Sequence, residues 1–309
     1  VRLGVLDIGS NTVHLLVANA HPGGRPLAQT SEKSVLRLMR YLEDDGRIND
    51  EGVTAILEAV KRARDVAEKE GVDELLATAT SAVREAANGI DVILQIEAAL
   101  GQPLQVLGGE QEARFTFLAV RRWFGWSAGQ ILLFDIGGGS LELATGSEEL
   151  PELAESVPLG AGRMTIGFLP DDPPGERQVE RLRGHAATAL APLAERFAAQ
   201  PRPDHVVGSS KTIRSLARLA GQSISGWSGT ERLLLRRDAL KSWIPRLAKI
   251  PASARQELPG ITADRTFQIT AGAVVLHEAM SALDVEELEV SPWALREGVL
   301  IRYIEDLGW

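Results

Sequence analysis

The chain has no cysteine and only two tyrosines, three methionines and five histidines in 309 residues. Without cysteine there is no disulfide, no thiolate zinc site and no cysteine nucleophile, which fits a reducing compartment. The histidines show no zinc spacing: His277-Glu278 opens like the zinc-protease motif, but Ser281 stands where the second histidine would be. Positive charge is in deficit, with 33 Lys and Arg against 42 Asp and Glu and a net charge of −9. That balance argues against a nucleic-acid partner. It argues less against a small polyanion, which needs only local positive charge. Long apolar runs are lacking too. The first twenty residues are interrupted by Asp7 and His14 and carry no basic leader or small-residue cleavage site. Neither a membrane partner nor a secretory route is expected, and a cytoplasmic location is.

What remains is an ordinary globular composition, 44% hydrophobic and 24% charged, long enough for two domains. Its central stretch is Ile131 to Gly146, ILLFDIGGGSLELATG. An apolar strand reaches Asp135, passes Gly137, Gly138 and Gly139, and leaves through alternating residues that put Leu141 and Leu143 on one face and Glu142 on the other. Glycines let the backbone take conformations closed to other residues, so amide groups can line a concavity that suits phosphate. A carboxylate beside such a cradle suits Mg²⁺. A plain glycine-rich hairpin turn is the other reading.

The same design occurs at the start of the chain. Leu3 to Val17 aligns without gaps on Ile131 to Thr145, so Asp7 falls on Asp135, Gly9 on Gly137, and His14 on Glu142. Ser10, Asn11 and Thr12 stand opposite Gly138, Gly139 and Ser140. Two matched loops predict two related half-molecules facing each other across a cleft.

Further along, a strand from Glu74 to Thr78 delivers Thr80 and Ser81 to a helical turn carrying Arg84, either an anion site or a simple serine cap. Gly108-Gly109 opens a helix with Glu110, Gln111 and Glu112. The two glutamates read either as ordinary partners of the helix dipole or as the source of one general base. A strand ending at 207 delivers Gly208, Ser209 and Ser210 to a helix starting at Lys211, a second place where amides could meet phosphate. It is not a Walker loop, because the two required glycine positions hold His205 and Ser210. Residues 221–230 read as a polar loop, and Gly125, Trp126 and Gly129 mark a boundary. Arg84, Arg114, Arg163, Lys211, Arg214 and Arg218 are candidates for local positive charge.

The motifs D-I-G-S-N-T, A-T-S-A-V-R-E-A at 79–86, G-G-E-Q-E-A-R at 108–114 and D-I-G-G-G-S-L-E at 135–142 resemble the exopolyphosphatase and guanosine pentaphosphate phosphohydrolase (Ppx/GppA) family. G-S-S-K-T at 208–212 and L-R-E-G-V-L at 295–300 extend the resemblance over essentially the whole chain. It implies an α/β fold of two duplicated actin-like, ribonuclease H-like domains with an interdomain cleft. We place them at residues 1–122 with 293–309 and at 123–292. Longer relatives carry a further His-Asp phosphohydrolase-type domain with no counterpart in these residues, so a short two-domain form is expected.

The resemblance also implies an activity: release of orthophosphate from the end of inorganic polyphosphate. Alternatives are guanosine pentaphosphate 5′-phosphohydrolysis, a regulator that binds such a (p)ppGpp-type nucleotide without turnover, and a kinase of the same superfamily. By resemblance Glu112 is the base. Asp7, Asp135 and Glu142 hold Mg²⁺, or Mn²⁺ in its place, and whether a monovalent cation is also required is left open by the sequence. Ser10, Asn11, Thr12, Gly137, Gly138, Gly139 and Ser140 hold the terminal phosphate. Arg84 clamps the next phosphates, Gly208, Ser209 and Ser210 bind phosphate as well, and Lys211 with nearby arginines guides the chain outward. A homodimer is implied as well. His14 stands where many relatives have arginine, and it reads either as part of that charge or as a packed strand histidine.

Overall fold

The computed structural model describes residues 1–21, 27–225 and 231–307. The chain divides into two compact units, Val1–Ala119 with Leu295–Trp309, and Val120–Ala294.

In the first unit β1 (Arg2–Ile8) and β2 (Thr12–Asn19) pair antiparallel, with Asp7 opposite His14 and Ile8 opposite Val13. β3 (Leu27–Val35) continues the meander. It ends where Arg37 turns left-handed (φ 58°) and Leu38 N–H bonds back to Ser10 O at 2.8 Å. α1 (Asp50–Lys69) starts where the Asn49 side chain accepts from Gly52 N–H at 2.9 Å. It stops before Gly71, at φ 64°. This helix crosses to β4 (Glu74–Ala79), parallel to β1. α2 (Ser81–Arg84) and α3 (Gly89–Leu100) lead to β5 (Gln105–Val106), parallel to β4, and α4 (Gly109–Phe124) follows. The sheet order is β3-β2-β1-β4-β5.

The second unit repeats the plan. β6 (Ile131–Ile136), β7 (Leu141–Gly146) and β8 (Leu153–Val157) form an antiparallel meander. α5 (Ala161–Phe168) and α6 (Glu176–Ala198) cross to β9 (His205–Gly208), parallel to β6. After α7 (Lys211–Ala220), β10 (Gln222–Ser225) and β11 (Glu231–Arg236) come α8 (Arg237–Leu247), α9 (Ala252–Arg255) and α10 (Ile269–Ala282), and then β12 (Glu287–Val290), parallel to β9. The order β8-β7-β6-β9-β12 matches that of the first unit, and β11 and β10 extend it. This order, three antiparallel strands then two parallel ones, is the duplicated actin-like arrangement. The polar stretch at 221–230 is a correction: it begins with β10, whose partner β11 the periodicity missed, and residues 226–230 lie outside the described residues. α11 (Leu295–Asp306) returns to the first unit.

Strand alternation sorts the side chains. In the first unit Leu6, Ile8, Val13, Leu15 and Val17 pack with α1 residues, whereas Leu3, Val5, Leu16 and Ala18 pack with Val299, Leu300 and Ile304 of α11. Asp7 and His14 therefore share the α11 face. In the second unit Leu132, Phe134, Leu141 and Leu143 enter the main core, which leaves Asp135 and Glu142 together on the opposite face. No helix among the described residues is long and apolar enough to cross a membrane.

Candidate functional site: two strand loops and a buried glutamate

The two loops share their internal geometry. Gly9 N–H bonds to Thr12 O at 3.0 Å, and Gly137 N–H bonds to Ser140 O at 2.9 Å, at aligned positions. In each loop the next element takes up the carbonyls. Ser10 O accepts from Leu38 N–H, and Asn11 O accepts from Leu36 and Arg37 N–H. Gly137 O accepts from Ala161 N–H, Gly138 O from Arg163 N–H, and Gly139 O from Arg163 Nε at 2.8 Å. With carbonyls turned to these partners, the other edge of each loop carries its amides.

Glycine is required here for a different reason than expected. Gly137 is not left-handed, and an added Cβ would meet Ser140 O at an ordinary 3.5 Å. The close approach belongs instead to Gly160, where a Cβ would overlap the backbone of Gly139 and Ser140. Gly160 and Arg163 thus hold the glycine loop, and G-A-G-R at 160–163 was the available signal.

Around the first loop, Ser10 Oγ and Ser81 Oγ share a buried hydrogen bond of 3.0 Å. The cap residue of α2 is Thr80, with no side-chain cap bond, so the simple serine-cap reading of Ser81 does not hold. Both side-chain atoms of Asn11 are buried without a hydrogen-bond partner. Asp7 Oδ2 accepts from Arg296 Nη1 at 3.4 Å. This contact was not legible in the motif L-R-E-G-V-L, whose Gly298 instead permits contact with the Phe115 carbonyl. His14 is buried.

The start of α4 separates the two glutamates. Gly108 caps it: its carbonyl accepts from Glu112 N–H, and its own N–H bonds to Gln111 Oε1 at 2.9 Å, the return bond of a capping box. Glu110 makes an exposed i,i+4 pair with Arg114. Glu112 is buried, its side chain 9% exposed, and accepts from Arg84 Nη1 at 2.6 Å. Arg84 also donates to Leu107 O and to Glu85 at 3.1 Å. Burial opposes the Arg84 charge, but the hydrogen bond and charge of Glu112, with Glu85 behind it, outweigh burial and raise its pKa.

In the second unit Asp135 and Glu142 are cross-strand partners. Ser209 Oγ donates to Asp135 Oδ2 at 3.0 Å and Ser156 Oγ to Glu142 Oε1 at 2.9 Å. Ser209 N–H is spent on Phe134 O, and Ser210 Oγ caps α7 by accepting from Ile213 N–H. Gly208 is a packing position, since a Cβ would crowd Ile213. Lys211 is the first residue of α7 and half-buried. Ser140 is buried. Among the described residues no group of three or more His, Cys, Asp or Glu could hold a metal ion. Two hydroxyl-oriented carboxylates are nevertheless a hard-oxygen donor set that fits Mg²⁺, which takes one or two carboxylates and fills its shell with water and phosphate oxygens.

Comparison with known proteins agrees with this fold. Residues 16–306 match the Ppx/GppA phosphatase family. Exopolyphosphatase 1 of Mycobacterium tuberculosis is 47% identical over 305 residues, covering 99% of this chain and 89% of that protein. Exopolyphosphatase 1 of Mycobacterium leprae is 46% identical over 305 residues, covering 99% and 90%. Among solved structures, an exopolyphosphatase from Cytophaga hutchinsonii superposes with a TM-score of 0.87 at 25% identity, covering 99% of this chain and 98% of that one. The Aquifex aeolicus Ppx/GppA family member, at 24% identity, covers 100% and 99% with a TM-score of 0.78 and speaks for the fold.

Proposed function

We propose, for a chain that belongs to the Ppx/GppA phosphatase family, that it is an exopolyphosphatase releasing orthophosphate from the end of inorganic polyphosphate. The observation that carries this reading is the duplicated strand-loop-strand, with the same register, the same internal hydrogen bond and a carboxylate at the same position. The named activity of the mycobacterial relatives supports the substrate.

In this reading the loop amides, with Ser10, Asn11, Thr12 and Ser140, bind the terminal phosphate. Arg84 and Lys211 bind phosphates behind it. Glu112 accepts a proton from water as the water oxygen bonds to the terminal phosphorus. The bond from that phosphorus to the bridging oxygen breaks, its electron pair stays on the shortened chain, and Glu112 returns its proton to solvent. The leaving group is a good one, so positioning and charge neutralisation dominate. Mg²⁺ held by Asp135 and Glu142, with Asp7 assisting, would supply part of that neutralisation. Cytoplasmic location and a homodimer belong to the same reading, and sedimentation measures the second.

Glu112→Gln is expected to keep polyphosphate binding and to lower turnover about 10²- to 10⁴-fold. Near-normal turnover removes Glu112 from the base role. Phosphate release from short polyphosphate, long polyphosphate and guanosine pentaphosphate ranks the substrates, and preference for the nucleotide would reassign the chain to 5′-phosphohydrolysis.

A further inference from the structure

The geometry points to Arg84 as a substrate-operated brake on Glu112: the guanidinium holds the carboxylate's proton affinity down, and a phosphate chain raises that affinity by drawing Arg84 away. The inference rests on the base role proposed above and adds to it a coupling between binding and base strength.

The contact argues against a simple clamp. Glu112 Oε1 is engaged by the Arg84 guanidinium through Nη1 at 2.6 Å. A carboxylate so paired is a weak base, because the cation favours its ionised form. The two side chains differ in access. Glu112 is 9% exposed and Arg84 24%, so the arginine reaches solvent from a site the glutamate does not leave. Arg84 also divides its donors between the Leu107 carbonyl and Glu85, whose side chain is 40% exposed. A polyphosphate chain carries charge on every phosphate and accepts in the bidentate geometry that arginine prefers, so it competes well against two single carboxylate contacts.

Once Arg84 turns to phosphate, buried Glu112 loses the Arg84 contact and gains a polyanion nearby. Both changes raise its proton affinity toward the range where a general base works best. Of the charged groups on the flanking helices, Glu85, just past the end of α2, is an anion, and Glu110 and Arg114 on α4 pair with each other at the surface. The brake therefore makes base strength conditional on an occupied chain site.

Proton linkage tests this without turnover. Binding of imidotriphosphate, a non-hydrolysable triphosphate, is followed by calorimetry near pH 6 in buffers of different ionisation enthalpy. Wild type is expected to take up more protons per molecule bound than Glu112→Gln. Equal uptake overturns the proposal, whatever that variant does to hydrolysis; near-normal hydrolysis by the variant overturns the base role instead. A second readout needs only the wild-type protein. The acid limb of kcat, which reports the bound state, should lie about one to three pH units above that of kcat/KM, which reports the free protein. In Arg84→Gln the separation should shrink to what the bound polyanion alone contributes. Coincident limbs in wild type overturn the brake.

Discussion

Asp135 and Glu142 face one another across β6 and β7, and each is held by a hydroxyl from the strand or turn on its outer side, Ser209 for Asp135 and Ser156 for Glu142. The two serines leave the charges alone and fix where the carboxylate oxygens point. Groups that orient a metal ligand typically matter about 10- to 100-fold in metal affinity. Ser156→Ala and Ser209→Ala are therefore expected to raise the Mg²⁺ needed for half-maximal phosphate release by a factor in that range. An unchanged Mg²⁺ curve in both variants would show that the serines serve packing alone.

Gly160 lies against the peptide between Gly139 and Ser140, with no space for a Cβ. Gly160→Ala must displace the glycine loop, and overpacking of this kind costs about 1–3 kcal/mol. Phosphate release is expected to fall strongly. Gly167, on the same helix α5, has open space and serves as the control. Gly167→Ala should keep activity and match or slightly exceed wild-type stability, since alanine narrows the unfolded ensemble. Comparable activity in the two variants would mean that loop position is not critical.

These contacts mark what the sequence discloses and what it hides. The repeat was legible because strand alternation has a strict period of two: aligning Asp7 on Asp135 places His14 on Glu142, and both are observed cross-strand pairs. The sequence also marks the ends of α1, with Asn49 or Asp50 as its cap and Gly71 as its stop, because both depend on local backbone chemistry; Asn49 is the cap observed. Partners fixed by tertiary packing were not legible. Arg84 finds Glu112 only after β5 and α4 bring residues 28 apart together, and Arg296 finds Asp7 across a separation of 289. The choice between Glu110 and Glu112 rested on resemblance; burial now separates them, since one faces solvent and the other does not. β10 was missed because an exposed, polar edge strand has little apolar alternation to detect, and β11 because its three successive leucines, Leu233 to Leu235, do not alternate.

Arg255 in the second unit is buried to 2% exposure and bonds to the Thr266 carbonyl at 2.8 Å and to Asp172 Oδ1 at 3.2 Å. Burial lowers its pKa against the opposing charge of Asp172. Asp172 also accepts from Ala252 N–H at 2.9 Å, so one carboxylate ties α9 to the loop before α6. Asp172→Ala should destabilise the chain by about 1–3 kcal/mol, less than a fully buried pair because Asp172 is half exposed. Urea unfolding measures it, with phosphate release at low denaturant expected to change little. A loss below measurement error would mean that solvent already screens the pair.

Arg296 meets Asp7 because alternation along β1 puts Asp7 on the same face as Leu3 and Val5, the face that α11 covers with Val299, Leu300 and Ile304. The pair is mostly buried, at 17% and 13% side-chain exposure, and its 3.4 Å separation is long for a charged hydrogen bond. Burial makes removal of one partner costly, while distance limits what the pair itself contributes. A double-mutant cycle separates the two. Asp7→Asn and Arg296→Met should each lower unfolding stability, and the double variant should lose less than the sum, with a coupling of about 0.5–3 kcal/mol. Strict additivity would mean that α11 is held by Val299, Leu300 and Ile304 alone.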